Sequence, residues 1–572
     1  MSRIPNPWRG KRRLILVRLI VNSFAQAGIT LANGLLVKFA FDNLVRQAAV
    51  TTMTNTLLVT SGLFGTALGL AWLRVMERTD AEKMGQSYAY SVRMSLYRKL
   101  SLMSPRALQK RSQGGVALRF VGDLTSLRQW ISFGMARLVV AITNLVAAVV
   151  ALSWLSPQIA VAVGVVFTLG IAIAFYRGQN LQAVAQEARR HLSRLAGDIN
   201  EKVAAIAVVQ VCGQTQREKK RLIKRSRRLE SAAVSRGFLA GQLRGISEAT
   251  VAIASATVLL VGAREVSLGN ITPGTIVAAS SIVGFLLPPL RDLGRVQEYW
   301  HNSRVSRRKI QQFLDTPTLV KVVADAPDLE IKTGLLEFEE VSIAGTLDKL
   351  NAVAKPGQKI ALVGTNGAGK STLLALAARL LDPDSGAIYL DGQNIADYSL
   401  ISLRRSLGMA SPDLPLLRGS IGRNLRYRCH RASEAEIARV WQLCEIDALL
   451  AELPQGEQTR IAEGGKGLSS GQRQKISLAR AILGNPPLLL LDEIDANLDT
   501  QATAICDRVI AQHQGTVLVI THRYQRLLEM DCIWYLENGK IREIGSPQKL
   551  LNSASLTAQF FASAEKDITN LK

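Results

Sequence analysis

The 572-residue sequence predicts a helical membrane domain followed by an α/β domain with a mainly parallel sheet. Its first half contains uncharged apolar runs that are long enough, at about 1.5 Å per helical residue, to cross a hydrocarbon core of about 30 Å. From Leu335 onward, short apolar runs typical of buried strands alternate with helical patterns. We therefore predict a membrane domain over residues 1–315, a linker over 316–333 and an α/β domain over 334–572.

The uncharged runs predict six membrane spans. Residues 138–176 are about twice the length of one span, and Pro157 near their middle predicts a hairpin of two spans. Residues 249–263 are short, and they form a span if the helix extends towards Gly241 with its charged side chains facing protein or water. The other three predicted spans are residues 19–37, 48–73 and 266–290.

The positions of basic residues predict the orientation of these spans, because Lys and Arg collect on the cytoplasmic side. They crowd residues 9–13, 74–111 and 217–228, whereas the other connections are short and carry little charge. Both termini and the α/β domain are therefore predicted to be cytoplasmic. The expected location is a bacterial-type inner (plasma) membrane, with the chain as an integral, multi-pass protein.

The two long connections, residues 74–137 and 177–244, contain few helix breakers, so we expect the membrane helices to continue well into the cytoplasm. The net charge of +25 could indicate a nucleic-acid partner. The basic run at 217–228, however, lies beside a predicted span and has no interleaved aromatic residues. It is better explained as a solvated face or a contact with membrane lipid, and no nucleic-acid partner is expected.

A glycine-rich segment, GTNGAGKST, lies between an apolar run at 360–363 and a helical pattern at 373–381, which is the context of a phosphate-binding loop. Its backbone N–H groups and the helix N-terminus would hold phosphates. Lys370 would reach the β- and γ-phosphates, and the Ser371 hydroxyl would bind Mg²⁺. The residues predicted to bind the nucleotide are Gly364, Thr365, Asn366, Gly367, Ala368, Gly369, Lys370, Ser371 and Thr372.

Two further strand ends carry polar side chains. The apolar run 488–491 ends in Asp492 and Glu493, and carboxylates at the end of a buried strand need a cation or a proton transfer to offset their desolvation. Asp492 is suited to Mg²⁺, and Glu493 to orienting or deprotonating an attacking water. His522 follows the run 517–520, from where its imidazole could reach a γ-phosphate.

These motifs, together with LSSGQ at 468–472 and ANLD at 496–499, resemble the nucleotide-binding domain of an ABC transporter. Six spans before one such domain resemble an exporter-type half-transporter. The resemblance implies a dimer, with ATP and Mg²⁺ between the phosphate loop of one subunit and the LSSGQ signature of the other. The residues it adds to the nucleotide site are Leu468, Ser469, Ser470, Gly471, Gln472 and Asp499.

The implied function is ATP-driven export by alternating access, in which ATP closes the dimer and hydrolysis resets it. ATP can drive that switch because it binds the closed state more tightly. Glu493 and His522 are the implied catalytic residues. The alternative is a weakly hydrolytic or nonhydrolytic subunit of a heterodimeric transporter, and the transported substrate is left open.

Three positions depart from the family pattern. Gly345 stands where an aromatic residue usually stacks on adenine, and Pro412 stands where a glutamine usually links Mg²⁺ to the membrane domain. Ser470 replaces a glycine of the signature, which places a Cβ close to the opposite γ-phosphate. The first two favour the alternative, whereas the retained catalytic carboxylate favours a homodimer of active subunits.

Overall fold

The computed structural model describes residues 4–45, 53–104, 107–108, 113–321, 323, 325–494 and 500–569. It divides into two compact units, one formed mainly by residues up to Thr316 and the other mainly by residues from Pro317 onward.

The first unit contains six helices, among the residues described, that are long and apolar enough to cross a membrane, so the predicted number of spans is confirmed. They cover Lys11–Asp42, Thr56–Ser101, Gly115–Leu155, Pro157–Val203, Thr215–Ser267 and Pro273–Asp292. The α-helices are α1 (Lys11–Phe39), α2 (Met53–Ser101), α3 (Gln113–Leu118), α4 (Leu124–Gln129), α5 (Ala136–Leu155), α6 (Pro157–Ala204), α7 (Ile206–Val211), α8 (Thr215–Ser267), α9 (Pro273–Phe285) and α10 (Leu287–Leu314). Wider π-helical turns lie at Ala40–Val45, Arg119–Asp123 and Trp130–Met135.

The break between α5 and α6 confirms the predicted hairpin. Ser156 adopts an extended backbone (φ −164°, ψ 115°) and ends α5. Its hydroxyl accepts a hydrogen bond from the Ile159 N–H at 3.5 Å, which caps α6. Pro157 takes the first helical position, where a backbone N–H has no helical partner in any case.

The predicted boundary of the last span is wrong, and part of the predicted second span cannot be compared with the structure. The sequence predicts the last span at 266–290, but α8 continues to Ser267. The chain then turns through Gly269, whose φ of +75° is typical of a glycine that ends a helix, and α9 begins at Pro273. Charge-free composition cannot reveal such a turn, because the turn residues are themselves uncharged. Residues 48–52 of the predicted second span lie outside the described residues.

Three helices are far longer than a bilayer requires. They are α2, α6 and α8, with 49, 48 and 53 residues. At about 1.5 Å per residue they extend about 70–80 Å, more than twice the thickness of the hydrocarbon core. The prediction that the spans continue beyond the membrane is therefore confirmed.

Glycines allow close contacts between the helices of this unit. A Cβ at Gly170 on α6 would lie 2.2 Å from the Thr250 Oγ1 on α8, and a Cβ at Gly262 would lie 2.7 Å from the Ile276 Cγ1 on α9. Small residues at such crossings are typical of membrane helices, whose association depends on close van der Waals packing.

The second unit contains short strands and helices in alternation. Its strands are β1 (Leu336–Ile343), β2 (Leu347–Ala354), β3 (Lys359–Gly364), β4 (Ser385–Leu390), β5 (Gln393–Asn394), β6 (Leu407–Ala410), β7 (Gly419–Ser420), β8 (Arg460–Ile461), β9 (Leu488–Asp492), β10 (Thr516–Ile520), β11 (Cys532–Glu537) and β12 (Lys540–Gly545). Its α-helices are α11 (Lys370–Ala377), α12 (Leu400–Arg405), α13 (Ile421–Leu425), α14 (Glu434–Leu443), α15 (Ile446–Ala451), α16 (Ser470–Ile482), α17 (Thr500–Gln512), α18 (Tyr524–Leu528), α19 (Pro547–Leu551) and α20 (Leu556–Thr569).

The main sheet has the strand order β12-β11-β3-β10-β9-β6, and all its neighbouring pairs are parallel except β11 with β12. A separate antiparallel sheet has the order β2-β1-β4-β5. Because parallel strands end at the same edge, the residues that follow β3, β6, β9 and β10 come together there. The predicted strands, and the prediction of a mainly parallel sheet, are confirmed.

Both faces of the main sheet are buried. Val363, Leu491 and Val519 pack into the apolar core on one face. Their chain neighbours, among them Leu362 and Leu490, pack into the core on the other. This burial on two sides explains the continuous apolar runs in the sequence and fixes the strand ends firmly.

Candidate nucleotide-binding site

The phosphate-binding loop leaves β3 at Gly364 and enters α11 at Lys370. Gly364, Gly367 and Gly369 all have positive φ, at 140°, 83° and 105°. A Cβ at Gly364 would lie 2.0 Å from the Leu536 carbonyl oxygen, and one at Gly369 would lie 2.6 Å from the Leu347 Cδ2. Backbone conformation and lack of space therefore both require glycine at 364 and 369, whereas only the conformation does so at 367.

The other residues of the loop divide into an exposed tip and a buried base. Thr365, Asn366 and Gly367 are exposed, whereas Ala368 and Thr372 are buried. The Ala368 N–H bonds the Thr365 carbonyl at 3.2 Å, which closes the turn. The backbone of the tip thus faces solvent, where an anion can reach it.

Lys370 lies inside the loop and is only 5% exposed. Its Nζ donates hydrogen bonds to the carbonyl oxygens of Gly364 at 2.7 Å and Thr365 at 3.0 Å. Burial lowers the pKa of Lys370, and the nearby carboxylates of Glu493 and Asp492 oppose that shift. A buried ammonium held by carbonyl dipoles is ready to bind the stronger charge of a phosphate.

Ser371 and Asp492 meet beside this lysine. The Ser371 hydroxyl donates to the Asp492 Oδ1 at 3.2 Å. Asp492, at the end of β9, is 9% exposed, and burial raises its pKa although the bond from Ser371 opposes the rise. The pair offers two hard oxygen atoms, the ligand type that Mg²⁺ prefers.

Sequence reasoning missed Ser411, which lies beside the same carboxylate. Ser411 directly follows β6, it is 7% exposed, and its hydroxyl lies near enough to Asp492 to favour the ionised carboxylate and so lower its pKa. The pairing of Ala410 with Leu491 aligns these two strand ends. The signal was present, since Ser411 follows an apolar run and precedes Pro412, but it needed the order of strands in the sheet.

Glu493 and His522 complete the group at this sheet edge. Glu493 has a φ of +46°, a left-handed conformation that is strained for a residue with a side chain. Its Oε1 lies 4.0 Å from the His522 Nε2, and the two side chains are 45% and 44% exposed. Both can therefore contact a water or a phosphate above the loop.

The LSSGQ segment begins a different helix, α16. The Ser469 hydroxyl accepts from the Gln472 N–H at 3.1 Å, and the Gln472 Oε1 accepts from the Ser469 N–H at 3.0 Å. Leu468 is buried, whereas Ser469 and Ser470 are exposed and Gly471 is partly exposed. This capping arrangement presents exposed hydroxyls at a helix N-terminus, where an anion from a second molecule would be favoured. Asp499 and the rest of the ANLD segment lie outside the described residues.

Gly345 lies at the turn between β1 and β2. It is exposed and has a φ of +71°. The turn lies close to the phosphate loop, because a Cβ at Gly369 would be 3.0 Å from the Thr346 carbonyl oxygen. A residue in this turn therefore borders the loop.

Comparison with known proteins decides the family. Residues 347–496 match the family model described as ABC transporter, and residues 14–290 match the one described as ABC transporter transmembrane region. The chain belongs to the ABC transporter family. The predicted family, the order of its two domains and the binding of ATP are thereby confirmed.

The transporter is similar to other members over most of its length. It is 29% identical to YknV, an uncharacterized ABC transporter ATP-binding protein of Bacillus subtilis, over 83% of this chain and 80% of that protein. It is 27% identical to an ATP-binding/permease protein of Staphylococcus aureus named for multidrug export, over 93% of this chain and 94% of the relative. The structure of a bacterial Atm1-family ABC exporter with ATP bound is similar with a TM-score of 0.82 at 26% identity, covering 96% of this chain and 98% of that one.

The transporter is therefore an exporter-type half-transporter, an integral multi-pass membrane protein whose ATPase domain drives transport. Half-transporters of this type work as dimers. Nothing in the comparisons favours the alternative of a regulatory, nonhydrolytic subunit.

Proposed function

We propose that the edge of the main sheet is a complete ATP-hydrolysing half-site. The observation that carries this proposal is the convergence of Lys370, the Ser371–Asp492 pair and the Glu493–His522 pair from separate chain segments. On ATP binding, the Lys370 ammonium exchanges its two carbonyl partners for the β- and γ-phosphates. The backbone N–H groups of residues 364–372 hold the phosphates in place.

Ser371 and Asp492 are the residues that would hold Mg²⁺. They fit that ion, because one hydroxyl and one carboxylate match a cation that is usually bound by one or two carboxylates plus phosphate oxygens and water. Among the described residues, no cluster of three His, Cys, Asp or Glu side chains offers a denser metal site. When bound, the ion would neutralise phosphate charge as the bond to the leaving group breaks.

Glu493 would orient the attacking water and accept its proton. His522 would hold the γ-phosphate, with its Nε2 placed 4.0 Å from the Glu493 Oε1. Neither side chain is deeply buried, which leaves room for water and phosphate above the loop. Loss of a positioned general base typically lowers a rate by about 10²–10⁴-fold.

The second half of each site would come from a second subunit. Its LSSGQ segment, residues 468–472, would cap the γ-phosphate with the N-terminus of α16. Asp499 is a further nucleotide-binding residue in this proposal. We favour a homodimer, because this chain keeps its catalytic carboxylate and Ser470 is small. A heterodimer would instead pair this chain's phosphate loop with a partner's glycine-containing signature.

We further propose that both termini and the ATPase domain are cytoplasmic, as the basic segments at 9–13, 74–111 and 217–228 indicate. In a bacterial cell the transporter would then lie in the inner membrane.

The homodimer proposal is tested by purifying the transporter expressed alone and measuring ATP hydrolysis by the wild type and by Ser470→Gly. We expect the pure protein to be active and the glycine to change the rate by less than about twofold, or about 0.4 kcal/mol at the transition state. An inactive protein that gains activity only with a second, different subunit would overturn the homodimer.

A further inference from the structure

The membrane domain contains a cavity of about 1210 Å³ between α6, α8 and α10. One part of its wall is apolar and includes Ile171, Ala174 and Phe175 of α6 and Ile246 of α8. A volume of this size is ample for an organic molecule of several hundred daltons, since ordinary ligand pockets span about 300–1,000 Å³.

The rest of the wall carries a surplus of positive charge. Among the described residues, two carboxylates line the cavity, Asp292 and Glu298. Five arginines face them: Arg189, Arg236, Arg244, Arg291 and Arg295. The lining therefore holds three more positive than negative side chains.

The two carboxylates are already paired. Asp292 accepts a bond from Arg137, which lies outside the cavity lining, at 2.7 Å, and Glu298 pairs with Arg236 at 3.4 Å. Their side chains are only 30% and 28% exposed. Each of these carboxylates is thus neutralised by its own arginine, and neither neutralises the remaining arginines of the cavity.

Those remaining arginines have weak or shared partners. Arg244 and Arg291 both pair with one carboxylate, Glu248. Arg189 donates to the Asn302 Oδ1 at 3.0 Å, and an amide oxygen carries no charge. Arg189 and Arg295 are exposed. Guanidinium groups that share a carboxylate or have no charged partner favour an anionic ligand, because they can bind it with paired N–H groups.

The cavity extends along the helices from bilayer depth to the arginines. Residues 171–175 are 14–18 residues from the start of α6 at Pro157, or about 21–27 Å, which is within the length of one span. Arg189 is 32 residues along α6, or about 48 Å, and Arg244 is 23 residues before the end of α8, or about 35 Å. Residues 171–175 thus lie at bilayer depth, and Arg189 and Arg244 lie at and beyond its inner boundary. Further apolar side chains, such as Leu181 and Leu192, line the cavity beside these arginines.

We propose that this cavity binds the transported substrate and that the substrate is an amphipathic organic anion. Its apolar body would lie against α6 and its carboxylate, sulfonate or phosphate would meet the arginines. The proposal rests on the transport function above, and it adds the chemical class of the substrate. A small organic anion and an anionic lipid share this chemistry.

The test uses three fluorescent probes with one apolar group and different charges: dansylglycine (anionic), dansylamide (neutral) and dansylcadaverine (cationic). Their binding is measured without nucleotide to the full-length transporter in phosphatidylcholine nanodiscs. We expect dansylglycine to bind at least about tenfold more tightly than the other two, a factor typical of one charge-assisted hydrogen bond.

The variants Arg189→Gln and Arg295→Gln remove charge from the wall, and among the described residues neither arginine is hydrogen-bonded to a carboxylate. Each should weaken dansylglycine binding about tenfold and leave dansylamide binding unchanged, which shows that the cavity is intact. Arg221→Gln is the matched control, because Arg221 lies on α8 outside the cavity, is 54% exposed and should have no effect.

If phosphatidylglycerol in the nanodisc competes with dansylglycine, the anion is a lipid. If it does not compete, the anion is a small solute. Equal binding of all three probes would overturn the proposal, as would variants indistinguishable from Arg221→Gln. Because nucleotide is absent, this failure is separate from a failure of the ATPase proposal, which is measured on the same preparation with ATP.

Discussion

Replacing Lys370 with alanine should weaken ATP binding through one identifiable loss. In the structure its Nζ, on a side chain 5% exposed, bonds the carbonyl oxygens of Gly364 at 2.7 Å and Thr365 at 3.0 Å. ATP would replace both carbonyl partners with charged phosphate oxygens. Lys370→Ala removes that exchange and leaves the loop backbone, which depends on the glycines, in place.

The magnitude follows from the difference between the two sets of bonds. A hydrogen bond involving a charged group is worth about 1.5–3 kcal/mol, and a bond between two opposite charges exceeds one to a carbonyl by about 1–2 kcal/mol. Two such exchanges give about 2–4 kcal/mol, or about 30- to 1,000-fold in affinity. ATP-driven transport should be abolished at cellular ATP concentrations.

The assay is the equilibrium binding of a fluorescent ATP analogue to the purified transporter. Lys359→Ala is a matched control, because Lys359 starts the same strand at the opposite edge of the sheet and its Nζ donates to the Ala511 carbonyl at 2.8 Å. The control should bind as the wild type does. A Lys370→Ala affinity within about threefold of the control, or full transport by that variant in sealed vesicles, would refute the reasoning.

Three further predictions concern other residues of the ATPase domain. Ser411→Ala removes the hydroxyl beside Asp492. It should raise the Mg²⁺ concentration for half-maximal ATPase activity by about fivefold, which corresponds to about 1 kcal/mol. An unchanged Mg²⁺ dependence would show that Ser411 does not support Asp492 in binding the ion. A tyrosine in the β1–β2 turn should lower the KM for ATP by stacking on adenine, worth about 1–3 kcal/mol. It should do so better at Ala344 than at Gly345, whose φ of +71° would strain any side chain, and a raised KM for both variants would show that the turn does not reach the base. Partial burial raises the pKa of Asp391. Hydrogen bonds from the Thr333 side chain and from the backbone N–H groups of Lys332, Thr333 and Leu335 outweigh it and lower the pKa to about 2. The ionised form therefore stabilises the fold above about pH 4 and loses this effect as the pH falls towards 2. Asp391→Asn should lower the Tm by about 2–4 °C at pH 7. A difference in Tm between wild type and variant that stays constant down to pH 3 would contradict this.

The parts of the site that the sequence predicts are those whose signals are local. The phosphate loop combines a strand, positive-φ glycines and a helix within residues 359–377. Asp492 directly follows an apolar run, and His522 follows another with only Thr521 between them. Burial on both faces makes such strands visible as continuous apolar sequence, and parallel strands share an edge. Local signals were therefore sufficient to bring these residues to one site.

The features that the sequence does not predict depend on the arrangement of strands and helices in the fold, or on turns that contain no charged residue. Ser411 reaches Asp492 only because β6 is the neighbour of β9 in the sheet, and the strand order is not written in either segment. The end of α8 at Ser267 depends on a glycine turn inside an uncharged run, which hydropathy alone does not detect. The charge surplus of the membrane cavity likewise comes from arginines that lie on three different helices.

The most direct test of ATP hydrolysis at this site compares Glu493→Gln with Glu529→Gln, which changes an exposed glutamate at the end of α18. Both variants are purified alongside the wild type, and ATP binding and ATP turnover are measured on each preparation. We predict that Glu493→Gln binds ATP with wild-type affinity while its turnover falls by about two or more orders of magnitude, as expected for a lost general base. Glu529→Gln should match the wild type in both. Near-normal turnover by Glu493→Gln would contradict the account and assign the catalytic base to another residue.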